Sequence, residues 1–226
     1  MSLDFQIHVN TQFKLFIFHP FIIIIVMSST TPKPRVYFSF DIEADGPSPA
    51  LNSMVSFGCV VFDESGVEVD KMQANMLPLP EQTVDKRCKE EFWDKNPEIL
   101  KFVQTNPVDP SDFVKSLVQL YKKYKDVGHK IVWVANPAAY DWQWLKAYYE
   151  WFKCVEDPDI GYSAKCIGTM LEVYRLRMKW TDDQADEFEA RTMKKLEAPG
   201  HVAHNPEHDA RVQGHFFFTL CNALMQ

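Results

Sequence analysis

Five side chains stand out for what they could do together. Asp41 and Glu43 lie two apart in Phe38-Ser39-Phe40-Asp41-Ile42-Glu43-Ala44-Asp45-Gly46, an apolar run that ends in carboxylates before a turn-prone Gly46-Pro47-Ser48-Pro49. In a strand, residues two apart share a face, so both carboxylates are predicted to project together from the strand's end, a geometry suited to a divalent cation. Acidic residues after an apolar strand also mark where a strand enters solvent, and the pair alone leaves both readings open.

Two later segments share one local device. At Asn136-Pro137-Ala138-Ala139-Tyr140-Asp141 and at Asn205-Pro206-Glu207-His208-Asp209, an Asn suited to cap a helix precedes a Pro suited to its first position, and an Asp follows near the end of the first turn. A helix N-terminus favours the ionised carboxylate that metal ligation requires. First-turn Asp residues are also common for that electrostatic reason alone; it is their coincidence with Asp41 and Glu43 that favours a metal cluster. His204 stands five residues before Asp209, and an imidazole at a helix entrance beside such a cluster could take a proton from water near neutral pH. His201 and His208 are competitors for that role.

The elements that must position these groups are legible in outline. Arg35 to Phe40 reads as a first strand, Val55 to Asp63 as a second, and Glu64-Ser65-Gly66 as a turn before a third run from Val67 to Leu77, an antiparallel meander. A polar connector leads to Glu91-Phe92-Trp93-Asp94. From Asp109, the stripe Phe113, Leu117, Leu120, Tyr121, Tyr124 marks an amphipathic helix. Lys130 to Ala135 reads as a buried strand, and helices are predicted around Tyr140–Phe152, Ile167–Trp180, Asp183–Leu196 and from Asn205 to the end. The fold class is α/β, a mixed sheet flanked by helices.

The 226 residues, 46% hydrophobic, suit one compact domain. Five cysteines form no Cys-x-x-Cys pair, so neither a zinc site nor a disulfide framework is indicated, and a reducing, cytoplasmic setting fits. A net charge of −7 argues against a broad basic surface for gripping long duplexes. It does not exclude nucleic acid, because ions bound by acidic side chains reverse the local field. Residues 1–34 differ from the rest: two apolar runs, 15–18 and 21–27, are interrupted by His19-Pro20 and are too short for a membrane span of about 20 residues. They are expected to be a leader, non-core or disordered, with the domain over 35–226; association with a membrane through residues 13–27 is the minor alternative.

The set Asp41-x-Glu43, Asp141, and His204 with four residues before Asp209 resembles the three motifs of the DEDDh 3′→5′ exonucleases, the ribonuclease T and oligoribonuclease-like group on a ribonuclease H-like fold. The resemblance covers about residues 35–226. In the tyrosine subtype a Tyr would stand where Asn205 is, so the histidine subtype is the match. It implies that Asp41, Glu43, Asp141 and Asp209 hold two divalent cations, Mg²⁺ or Mn²⁺, that His204 is the general base, and that nucleoside 5′-monophosphates are released from the 3′ ends of single-stranded nucleic acid, RNA or short oligonucleotides above DNA. Homodimers occur among such relatives.

Candidate substrate contacts are the backbone at Ala44 and Gly46, Met54 as a wedge, and the Phe92-Trp93 pair, with Trp93 as the stacking platform. Asp45 is expected to be peripheral. The competing reading is a ribonuclease H-like module that binds nucleic acid or protein without cleaving; against it, all five catalytic positions are present.

Overall fold

The computed structural model describes residues 12–18, 21–27 and 32–226. The chain divides into two compact units, Met1–Pro34 and Arg35–Gln226. In the first, strands β1 (Gln12–Phe18) and β2 (Phe21–Met27) pair antiparallel. The leader expected over residues 1–34 falls in large part outside the described residues. No helix among the described residues is long and apolar enough to cross a membrane.

The second unit is built on a five-stranded sheet of order β5-β4-β3-β6-β7. β3 (Arg35–Ala44), β4 (Met54–Phe62) and β5 (Glu68–Asn75) form the antiparallel meander; β6 (Lys130–Ala135) joins β3 in parallel and the two-residue β7 (Lys165–Cys166) joins β6. β3 runs further than the predicted Arg35 to Phe40. Ladder pairing continues past Asp41 to Ala44, so both carboxylates are strand residues and not the tail of one.

Alternation along β3 divides the molecule into two packed layers. Phe38 and Phe40 face a core built with α3 (Pro110–Lys125) and α4 (Ala138–Phe152), where Phe113, Leu117, Tyr121, Trp144 and Tyr148 are buried. The opposite face carries Tyr37, Ser39, Asp41 and Glu43, and Tyr37 packs its ring 5.5 Å from that of Phe217 on α7 (Pro206–Met225). α5 (Ile167–Met178) and α6 (Asp182–Leu196) complete this second layer through Ile167, Leu171 and Phe188, which pack with Phe216 of α7. The connector after the meander is more ordered than its polarity suggests. It holds α1 (Lys86–Glu91), a 3₁₀ turn at Trp93–Lys95, and α2 (Pro97–Val103).

Candidate active site

α7 brings its carboxylate to β3 because β4 has no side chain in the way. Gly58 pairs with Asp41 across the ladder, and a Cβ at Gly58 would lie 2.1 Å from the Glu207 backbone nitrogen. The first turn of α7 therefore rests directly on the sheet. Asn205 caps that turn, accepting from the backbone N–H groups of Glu207 and His208 at 3.1 and 3.2 Å, as its sequence predicts. Buried Glu207 locks the turn laterally, accepting from Lys71 on β5 and from Arg211, both at 2.9 Å.

The second Asn-Pro device works differently. The N-cap of α4 is Pro137, with no side-chain cap, and Asn136 is committed elsewhere: it accepts from the Gly168 N–H at 3.0 Å and donates to Glu189 at 3.2 Å. Asp141 nevertheless falls in the first turn of α4, only 3% exposed, with Oδ2 buried and lacking any hydrogen-bond partner.

These elements bring the predicted acidic residues into mutual electrostatic contact. Burial first, then repulsion from Asp141, Glu43 and Asp209, holds the Asp41 carboxyl well above the usual range, against a hydrogen bond from Gln213. Asp141 is pushed up to about 7 by burial and then by Glu43. Burial likewise raises Glu43 and Asp209. Four partly or wholly buried carboxylates that disfavour one another's ionisation, one with an oxygen satisfied by nothing, are a donor set suited to hard divalent cations.

His204 stands at the edge of the cluster. Its Nδ1 is 3.7 Å from Glu43 Oε1, which raises the imidazole above its ordinary value despite partial burial. Its backbone adopts φ 63°, an uncommon conformation for a non-glycine residue, and its N–H donates to Asp209 Oδ2 at 2.8 Å. That charge-assisted bond, worth about 1.5–3 kcal/mol, offsets a strain of order 1 kcal/mol or more. His201 is also close, with Nε2 at 3.4 Å from Asp209 Oδ1. His208 is turned to the loop, its Nδ1 accepting from the Val202 N–H at 3.0 Å.

The proposed substrate contacts are placed less evenly. Trp93, expected as the platform, is 4% exposed and packs with Val55, Ile99 and Val103. It is Phe92 whose ring meets His204, edge to face with centroids 4.8 Å apart. Met54 is fully buried, its N–H donating to the Tyr148 hydroxyl at 2.8 Å, so it is a core residue and not a wedge. Ala44 and Gly46 are buried as well; the Gly46 carbonyl accepts from the Tyr140 hydroxyl at 3.1 Å and that of Ala44 from Cys88 Sγ at 3.6 Å. Asp45, expected in a turn and outside the ligand set, is 5% exposed and accepts from the Ser53 N–H at 2.5 Å, closing the 46–52 loop. Gln213, which donates to Asp41 Oδ1 at 2.8 Å, was not anticipated, although its place four residues after Asp209 puts it on the same helix face.

No protein-family model matches the chain, and no curated protein matches it. Solved structures do. The zinc-bound form of the E. coli ExoI–ssDNA complex superimposes with a TM-score of 0.57 at 14% identity, over 86% of this chain and 41% of that one. S. pombe Pop2p in its Mg²⁺- and Mn²⁺-bound form gives 0.52 at 15% identity, over 81% of each chain. A 3′-exonuclease described in 3′-end specific recognition of a histone mRNA stem-loop gives 0.57 at 14% identity, over 87% of this chain and 67% of that one. This chain thus spans about two fifths of the ExoI chain. At these identities the likeness is one of architecture: the unit from Arg35 to Gln226, a mixed five-stranded sheet between helical layers, has the ribonuclease H-like fold.

Proposed function

We propose that this protein is a metal-dependent 3′→5′ exonuclease of the DEDDh type, trimming single-stranded 3′ ends, with RNA or short oligonucleotides favoured over DNA. The observation that carries it is the convergence of Asp41, Glu43, Asp141 and Asp209, from one strand and two helix N-termini, with His204 at the rim. The similar folds include proteins described with ssDNA, with an mRNA stem-loop and with Mg²⁺ and Mn²⁺, which supports the same class of substrate and cation here.

The four carboxylates would hold two divalent cations, Mg²⁺ or Mn²⁺, which when bound supply the positive charge that neutralises the phosphate and stabilises the departing 3′ oxygen. The chain's own groups do the rest. With Nδ1 facing Glu43, His204 keeps Nε2 free to take a proton from the attacking water. The water oxygen bonds to phosphorus, the P–O3′ bond breaks, the shortened strand keeps its 3′ hydroxyl, and a nucleoside 5′-monophosphate leaves. Phe92 supports the imidazole edge-on and offers an aromatic surface beside it. Within this reading residues 35–226 carry the activity and residues 1–34 are a leader, which mass spectrometry of the native N-terminus tests: peptides covering Phe13 to Val26 would count against it.

The deciding assay incubates 5′-labelled RNA and DNA single strands with Mg²⁺ or Mn²⁺. Stepwise shortening that needs the cation and is lost in Asp41→Asn is expected. Absence of such shortening on both substrates overturns the proposal.

A further inference from the structure

The sheet ends at β5 in an edge that the chain itself closes only in part. Met76 donates its N–H inward to the Val55 carbonyl at 2.9 Å, while the Asn75 carbonyl and the Leu77 N–H turn outward and bond to Val108, both at 2.9 Å. Backbone groups alternate in direction along a strand, so those of Lys71 and Gln73 also point outward, where β5 has no neighbouring strand. Pairing stops at Val108 because Asn106, at φ 48°, turns the chain away. The Lys71 N–H is met by Asp70 Oδ1 at 2.9 Å. Among the described residues, the Gln73 N–H and both carbonyls have no backbone partner. Natural edges are commonly blunted by a proline or a bulge; from Asp70 to Asn75 the ladder with β4 is regular and contains neither.

A shelf runs beside the open edge. Ser116, Gln119, Leu120 and Lys123 form one stripe of α3, and two adjoining hollows of about 400 and 500 Å³ lie along it, sharing Met72, Gln73 and Ser116. The floor is apolar where Met72 and Leu120 pack on the core. One end carries two ammonium groups, Lys71 toward α7 and Lys123 toward α3, bonded to Glu207 at 2.9 Å and to Asp70 at 2.6 Å. Their side chains are 58% and 61% exposed, and an ammonium has three donors, so each can serve a second acceptor. We propose that β5 receives an extended peptide segment of a partner protein as a sixth strand, apolar at alternate positions over Met72 and Leu120 and acidic where it passes Lys71 and Lys123. Main-chain bonds to residues 71 and 73 hold it, and the lysines select its charge. The added strand lies beside the side chains that brace the first turn of α7, Lys71 on Glu207 and Gln73 on Asn205 at 3.0 Å. The partner is thereby held next to the cleft, whether or not the cleft cleaves.

Full-length protein and a capped octapeptide, two glutamates followed by alternating valine and threonine, test this by fluorescence anisotropy and amide exchange. Binding with Kd below about 1 mM is expected, with slowed exchange at the Gln73 N–H. N-methyl groups on one alternate set of peptide amides should weaken binding at least about tenfold, and on the other set should not. Lys123→Glu should reverse the preference, toward the same peptide with lysines in place of glutamates. Gln73→Pro should lose binding, while the ladder with β4 keeps its bonds because that N–H points away from it. No binding at about 1 mM, equal loss from both methylated sets, or unchanged exchange at Gln73 overturns the proposal. So does the finding that Lys123→Glu weakens single-stranded RNA and not the peptide. Should Gln73→Pro fail to fold by circular dichroism, the methylated pair decides alone.

Discussion

Gln213 Nε2 donates to Asp41 Oδ1 at 2.8 Å, while its own Oε1 is buried without a partner. The amide therefore holds one oxygen of the carboxylate in place, and under the proposed function the other is left for a cation. A hydrogen bond to a charged group contributes about 1.5–3 kcal/mol, and an unsatisfied buried acceptor costs about 1–3 kcal/mol. The two nearly cancel in stability but not in binding. Gln213→Leu should unfold at close to the parental denaturant midpoint while its Mn²⁺ affinity falls about 10–100-fold. A calorimetric titration showing parental affinity would exclude a positioning role.

Gly58→Ala should be among the most damaging single methyl additions in the chain. The new Cβ meets backbone at 2.1 Å, the Glu207 nitrogen and the Pro206 carbonyl carbon, and backbone at a helix start cannot swing aside as a flexible side chain would. A loss of about 3 kcal/mol or more is expected, the upper range for overpacking, measured by urea unfolding. A loss below about 1 kcal/mol would show that α7 can lift from β4 without strain.

The metal-free protein should lose stability as pH rises. Burial raises Asp209, and burial with repulsion from neighbouring carboxylates raises Asp41 and Glu43 and pushes Asp141 to about 7. The native state therefore holds protons that the unfolded chain releases above its ordinary carboxylate range near pH 4, and stability falls from there toward pH 7. His204, raised by Glu43, acts in the same direction: its contribution is present below the ordinary imidazole value and lost as pH passes the raised one. Carboxyls held low, such as Glu207 beside Lys71 and Arg211, contribute the opposite slope at pH values below this window. Thermal melts in chelator should give a lower Tm at pH 8 than at pH 5, with Mg²⁺ or Mn²⁺ narrowing the gap. A flat profile in chelator would contradict the coupling.

Neighbouring aromatics should separate cleanly. Trp93→Ala opens a cavity among Val55, Ile99 and Val103 and is expected to cost about 3–5 kcal/mol of stability. Phe92→Ala should cost less stability and lower kcat/KM on single strands about tenfold or more, through the lost aromatic surface beside His204. Equal kinetics for parent and Phe92→Ala would remove Phe92 from the site.

The acidic residues were legible because each belongs to a local pattern: two-residue spacing on a strand, and a first-turn position on two helices. Asn205 acts as its own segment suggests because its partners are two and three residues away. Asn136, in the same dipeptide, does not, because Gly168 and Glu189 claim its side chain from 32 and 53 residues away. Met54 is concealed for a similar reason: the hydroxyl that receives its N–H belongs to Tyr148. Phe92 and Trp93 are alike in composition, and only packing against Ile99 and Val103 on one side and His204 on the other tells them apart.

Asp209 and Gln213 lie one helical turn apart on α7, and both act on Asp41, the first by repulsion and the second by its amide. A helix advances about 100° per residue, so one residue inserted between them would swing Gln213 away from the strand while the Pro206–Glu207 backbone stayed seated above Gly58. The 46–52 loop lies beyond a register shift between Glu43 and Ala44 and is closed on itself by Asp45 and Ser53. That loop is nevertheless tied to its surroundings, the Gly46 carbonyl by Tyr140, Asn52 by the Thr83 carbonyl at 2.7 Å and the Pro49 carbonyl by Gln82 at 2.6 Å. The protein is thus intolerant of insertion and deletion on both sides of the carboxylates: α7 measures distance along its axis, and the turn after β3 measures the gap to residues 82–83.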